Sequence, residues 1–234
     1  MICRLTVDSF GKIVIGDNTP IPTDLQALID TDKQYGLLDA DPDGWITWKV
    51  YDYDTEVNLE QVNYLVRVAL MGWGFKVNAK FRPANRYPPC LKIYFSDPEH
   101  DPNMTPTTLA YHYYPMGKSN SMRGVCYINR SYYYTIDGKP LDLSIIDPKN
   151  YPKPAGLDGK TYDLDRILRH EFGHGVFGLQ HDGSIGNCMS AYYDKGSEFL
   201  TDRDIFRAAA KVGKKTLKAK MLDSWYKIKS NVYS

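Results

Sequence analysis

The sequence has no apolar run approaching the ~20 residues that a membrane-spanning helix needs, so no span is expected. Its formal net charge is only +1, and no global field favours nucleic acid or a membrane surface as partner. Cysteine is sparse: Cys3, Cys90, Cys126 and Cys188 stand apart, with no CxxC pair. A thiolate zinc cluster is therefore not expected, while disulfides and the redox compartment stay open. No internal repeat and no long low-complexity tract is present. The opening run, Met1 to Asp17, contains no sustained apolar stretch and carries Asp8 early, so no secretory leader is visible and the residues assign no compartment.

What is there is ordinary globular composition, 43% hydrophobic and 24% charged in 234 residues, enough for one domain with extensions. Charge is uneven along the chain. Residues 1–44 hold eight Asp against Arg4, Lys12 and Lys33, are broken by Pro20, Pro22 and Pro42, and read as a separate N-terminal extension of unknown role with a short helix over Leu25–Asp30. Residues 214–234 form a basic C-terminal tail that reads as a solvated helical face. Between them, Trp45–Tyr51 reads as a strand rich in β-branched and aromatic residues. Val62, Leu65, Val66, Ala69 and Leu70 recur at helical spacing, with Gly72 and Gly74 closing that helix. Lys76–Phe81, Leu91–Phe95, Leu109–Tyr114 and Val125–Asn129 read as further strands, and after a Pro-rich connection over 137–160 the pattern is helical. One strand, a helix, several strands and then helices make an α+β domain over residues 45–213.

Histidine is scarce, five in all, yet three of the five fall within His170-Glu-Phe-Gly-His174-Gly-Val-Phe-Gly178-Leu-Gln-His181-Asp182. Thr161 or Asp163 can cap a helix entering this segment, and Leu164, Ile167 and Leu168 give it an apolar face. On that helix His170 and His174 project from one side, one turn apart, and can share one ion. Glu171, next door, suits the proton-accepting role toward a water at the metal, whose pKa a zinc ion lowers from 15.7 towards ~7. A catalytic zinc needs a third protein ligand and one open position. Gly178 can end the helix in a left-handed conformation so that His181 returns to the metal, with Asp182 as the fallback ligand.

These residues resemble the metzincin peptidases, and most of all the matrixins, whose zinc motif is HExxHxxGxxH. His170-Glu-Phe-Gly-His174 and Gly178-Leu-x-His181 match it, with one additional residue before Gly178, so His181 follows His174 by seven positions where the family has six. A π-bulge in the helix or a wider turn would absorb that residue. Met189 in Cys188-Met-Ser-Ala-Tyr-Tyr193 matches the methionine of the family's tight turn below the histidines, and Tyr193 matches the Tyr of the wall lining the substrate pocket, with Ala191 where the family has Pro. Leu200-Thr-Asp-Arg-Asp204-Ile resembles the family's closing helix entry, and Thr201 and Asp204 have capping-box spacing. Thr108-Leu-Ala-Tyr-His-Tyr-Tyr-Pro115 is similar to the strand on whose edge substrate lies, which would give Leu109 and Ala110 the main-chain bonds to substrate.

The resemblance implies a metzincin-like zinc peptidase domain: a twisted mixed β-sheet, an active-site helix and a C-terminal helix. It implies a zinc-dependent endopeptidase acting on protein or peptide substrates, with Glu171 as general base, His170, His174 and His181 on one catalytic zinc, and Tyr192 or Tyr193 near the oxyanion. It favours extracellular action. The family's second, structural zinc is not expected, because Tyr127 stands where a ligand His would be. Asp39-Ala-Asp41-Pro-Asp43-Gly44 resembles the first half of a calcium loop, but Val50 takes the twelfth position where a bidentate Glu is needed; a turn is expected there, with Ca2+ the lesser reading. Two other classes stay open: a catalytically silent zinc-binding interaction module on the same fold, and a zinc hydrolase of a non-peptide amide such as a cell-wall cross-link.

Overall fold

A computed structural model describes residues 2–7, 13–15, 21–52, 59–85, 87–116, 122–136, 139–140, 161–191 and 199–214. In chain order the elements are β1 (Ile2–Val7), β2 (Ile13–Ile15), α1 (Leu25–Asp32), β3 (Ile46–Asp52), α2 (Leu59–Gly74), β4 (Phe81–Pro83) and β5 (Leu91–Ser96). They continue with β6 (Thr108–Tyr113), β7 (Val125–Asn129), β8 (Tyr133–Ile136), β9 (Lys139–Pro140), β10 (Thr161–Asp163), α3 (Leu164–Phe177) and α4 (Asp202–Val212).

Seven strands make one mixed sheet in the order β2-β1-β6-β7-β5-β3-β4. β4, β3, β5 and β7 run parallel to one another, while β6 lies antiparallel to β7 and β1 antiparallel to β6. A small second sheet joins β10, β8 and β9. Helices packed against a mixed sheet make the chain α+β. Its core lies between the large sheet and the helices α2 and α3. Val62, Leu65, Val66, Ala69, Leu70 and Trp73 are all buried along one stripe of α2, each large side chain contributing roughly 1.5–3 kcal/mol of transfer free energy. From β5, Leu91, Ile93 and Phe95 point into the same core. Trp73 joins the two helices: its indole N–H donates to the Arg169 carbonyl at 3.1 Å, and its ring meets Phe177 at 4.9 Å. On the other face of the sheet Tyr51, Tyr94, Tyr127 and Tyr111 stack in a row across β3, β5, β7 and β6, with centroid spacings of 5.0, 5.2 and 4.9 Å.

Three expectations change. The described parts of residues 1–44 pair with and pack on the rest of the chain. Leu5 pairs with Ala110, Asp32 accepts from the Arg207 guanidinium of α4, and Leu38 N–H donates to the Val176 carbonyl of α3 at 2.9 Å. The strand expected over Lys76–Phe81 starts only at Phe81. Lys76 and Val77 instead donate to the Trp73 carbonyl in a turn that drives Val77 into the core. β6 has no free edge, because β1 covers it along Ile2–Thr6. The basic tail lies outside the described residues apart from Lys214.

Candidate metal centre

α3 begins at the cap that the sequence offers: the Asp163 side chain accepts from Arg166 N–H, and Asp165 sits at the positive end of the helix. Arg169 pairs with Asp165 one turn back. The helix stays α-helical to Phe177, so the additional residue is taken up by its length and not by a π-bulge. Gly178 ends it at φ 62°, and its N–H and that of Leu179 close onto the His174 and Gly173 carbonyls. A Cβ there would be strained by that φ and would sit 2.6 Å from the Gly36 carbonyl oxygen.

The chain then reverses and delivers His181. The three ring nitrogens Nε2 of His170, His174 and His181 converge, at 2.9 Å between His170 and His174 and 3.1 Å from His181 to each. Four donors arranged tetrahedrally at ~2.0–2.1 Å around one ion stand about 3.3 Å apart, so this spacing is that of a ligand set. The outer nitrogens agree. His170 Nδ1 lies 2.8 Å from the Cys188 carbonyl oxygen and His174 Nδ1 lies 2.5 Å from that of Leu179. A carbonyl only accepts, so both Nδ1 atoms carry the proton and both Nε2 atoms present lone pairs. Lone pairs 2.9 Å apart repel unless a cation lies between them. Burial holds His170 down to about 4 and His174 and His181 well below the usual imidazole value, which keeps all three neutral and able to ligate a metal at pH 7. Among the described residues this is the one His/Cys/Asp/Glu group able to hold a metal.

Glu171 is fully buried beside these ligands, and neither carboxylate oxygen has a hydrogen-bond partner. Burial pushes its carboxyl well above the usual range. An orphaned carboxylate next to a ligand set is the partner a water at the metal requires. Below the helix, Met189 is fully buried, and a Cβ on Gly173 would lie 2.2 Å from its Sδ. The glycine of His-Glu-Phe-Gly-His is thus a seat for that methionine. The Asp204 carboxylate holds the turn by accepting from Cys188 and Met189 N–H at 3.0 Å each, while also closing the Thr201 capping box.

Other expected residues fall elsewhere. Asp182 is bound to Arg203, accepts from Ser184 N–H at 2.8 Å and stands outside the ligand group. Leu109 and Ala110 are fully buried in β6, and Ala110 pairs with Leu5 on one side and Ile128 on the other. They are not open to substrate while β1 is in place. Tyr192 and Tyr193 lie outside the described residues. Asp41 accepts from Asp43 N–H, Trp45 N–H and the Arg82 guanidinium, and so forms a turn with its own cation. Sequence reasoning passed over Asp32 and Arg207, which brace the loop into His181 through Gln180 N–H and the Gln180 carbonyl. It also passed over Tyr114, whose hydroxyl oxygen lies 3.2 Å from His174 Nδ1.

The family described as matrixin matches residues 41–210. The chain belongs to the matrixin family. The match takes in α2, every strand from β3 to β10, α3 and all but the end of α4, with the three histidines inside it. Matrixins are zinc metallopeptidases, and the histidine cluster fits a zinc site. No curated protein matches the chain. Among the described residues no helix of this matrixin is long and apolar enough to cross a membrane.

Proposed function

We propose that this matrixin is a zinc-dependent endopeptidase with His170, His174 and His181 as zinc ligands and Glu171 as general base. The convergence of three Nε2 atoms within 3.1 Å of one another, beside a buried carboxylate without a partner, carries the reading. A zinc ion on those nitrogens supplies Lewis acidity, polarising a peptide carbonyl and acidifying water. Glu171 takes a proton from the water that adds to the carbonyl carbon. It then returns that proton to the amide nitrogen as the C–N bond breaks, giving one new carboxylate and one new amine. With no other hydrogen-bond partner, its carboxylate is available to that proton. The Cys188 and Leu179 carbonyls keep His170 and His174 in the ligating tautomer. Met189 fills the space under Gly173 and fixes the height of the helix over the turn. Protein or peptide is the substrate, and family membership favours action outside the cell.

The test is Glu171→Gln assayed on casein and on a mixed peptide library, with zinc content measured alongside. The variant is expected to keep its zinc and lose about 10²–10⁴-fold in cleavage rate. Wild type and variant equally inert with zinc bound would point to a silent module. Activity confined to cell-wall material would point to a non-peptide amide.

A further inference from the structure

We propose that Tyr114 is a positioning residue for the metal centre, its hydroxyl oxygen serving as a second acceptor for the Nδ1 proton of His174. The assignment rests on the zinc-ligand role given to His174 above and specifies what tunes that ligand.

The argument begins with the proton. With Nε2 turned to the metal, His174 Nδ1 is a donor. It has two oxygens in reach: the Leu179 carbonyl at 2.5 Å and the Tyr114 hydroxyl at 3.2 Å. Because Nδ1 has no lone pair left, the phenol cannot donate to it. The hydroxyl oxygen accepts, and the N–H is shared between a main-chain and a side-chain acceptor. His170 has only the Cys188 carbonyl at its own Nδ1. Added electron density at Nδ1 makes the opposite nitrogen a better donor to a cation, and two acceptors fix the ring about its own axis more tightly than one.

The hydroxyl can do this only if it is held still, and it is. Tyr114 is 3% exposed, one residue beyond the end of β6. Its ring lies 4.6 Å from Tyr35 on one side and meets the His174 ring edge-on at 5.4 Å on the other. Tyr35 is itself anchored, since the Lys211 ammonium of α4 donates to the carbonyls of Asp32 at 2.6 Å and Tyr35 at 2.5 Å. A segment ahead of β3 therefore reaches the metal ligand through two aromatic rings.

The experiment is Tyr114→Phe, which removes the oxygen and keeps the ring. Three quantities are read: zinc affinity by competition with a chelator, the visible spectrum of the cobalt-substituted protein, and thermal unfolding of the zinc-free protein. The expected result is zinc binding weakened roughly tenfold and a displaced cobalt band, with zinc-free unfolding unchanged. Equal zinc affinity and an identical cobalt spectrum would overturn the assignment while leaving the peptidase reading intact. So would weaker binding accompanied by an equally destabilised zinc-free protein, since that is loss of packing. A wild type that takes up no zinc removes the peptidase reading and this assignment together.

Discussion

His112 shows how closely individual side chains are fitted around the active-site helix. It is fully buried on β6, and a Cβ on Gly175 would lie 1.7 Å from its Nε2, so the imidazole rests directly on the helix backbone beside His174. Its contact with the Glu171 main chain only partly offsets the cost of charging it there. Burial lowers its pKa from the ordinary 6.5 to about 3. The unfolded chain therefore binds a proton below pH 6.5 that the folded chain refuses until near pH 3. Stability contributed by neutral His112 is complete above pH 6.5 and falls with pH through that window, by up to about 1.4 kcal/mol per unit. Urea unfolding of zinc-saturated wild type and His112→Asn between pH 4 and pH 7, as an order-of-magnitude window, should show the shallower dependence in the variant. Equal slopes would mean that His112 takes up its proton normally in the fold. The sequence marked His170, His174 and His181 because their spacing carries chemistry by itself. It could not mark Tyr114, one of nineteen tyrosines, because what distinguishes it is a distance of 3.2 Å to a residue sixty positions away.

At the scale of elements, legibility followed how local each signal is. α2 and α3 were readable from their apolar stripes, the Asp163 cap and Gly178, and β5 and β7 from short apolar or alternating runs bounded by turns. β1 was not readable. Its pattern is weak, and it exists because β6 lies across from it, a pairing between residues about one hundred positions apart. The same pairing corrects the picture of the substrate strand. Leu109 and Ala110 sit in a strand bonded on both sides, and an extended peptide can add to β6 only where β1 is absent. A chain beginning at Ile21, which keeps α1 and its bond to α4, is expected to retain zinc and to cleave casein severalfold faster. Unchanged or slower cleavage with zinc retained would mean that substrate takes another edge.

At the scale of the whole molecule, the three clustered histidines come from two places, a rigid helix and the loop after it, and the loop is what the rest of the chain is organised to hold. The buried Asp32 carboxylate receives Arg207 at 2.8 Å and Gln180 N–H at 2.7 Å, tying α1, α4 and the approach to His181 into one network. Arg203 and Arg207 flank Asp182 and keep that carboxylate away from the ligand group. This is why an additional residue before Gly178 does no harm: the position of His181 is set by Asp32, Arg207 and the αL turn, and not by spacing from His174 alone. The central claim is that the imidazoles of residues 170, 174 and 181 grip one ion together. Metal analysis of purified wild type and His181→Ala tests it most directly. The account predicts one zinc per chain in wild type and its loss from the variant under the same dialysis. A wild type without stoichiometric zinc, or a variant that keeps it as tightly, would contradict it.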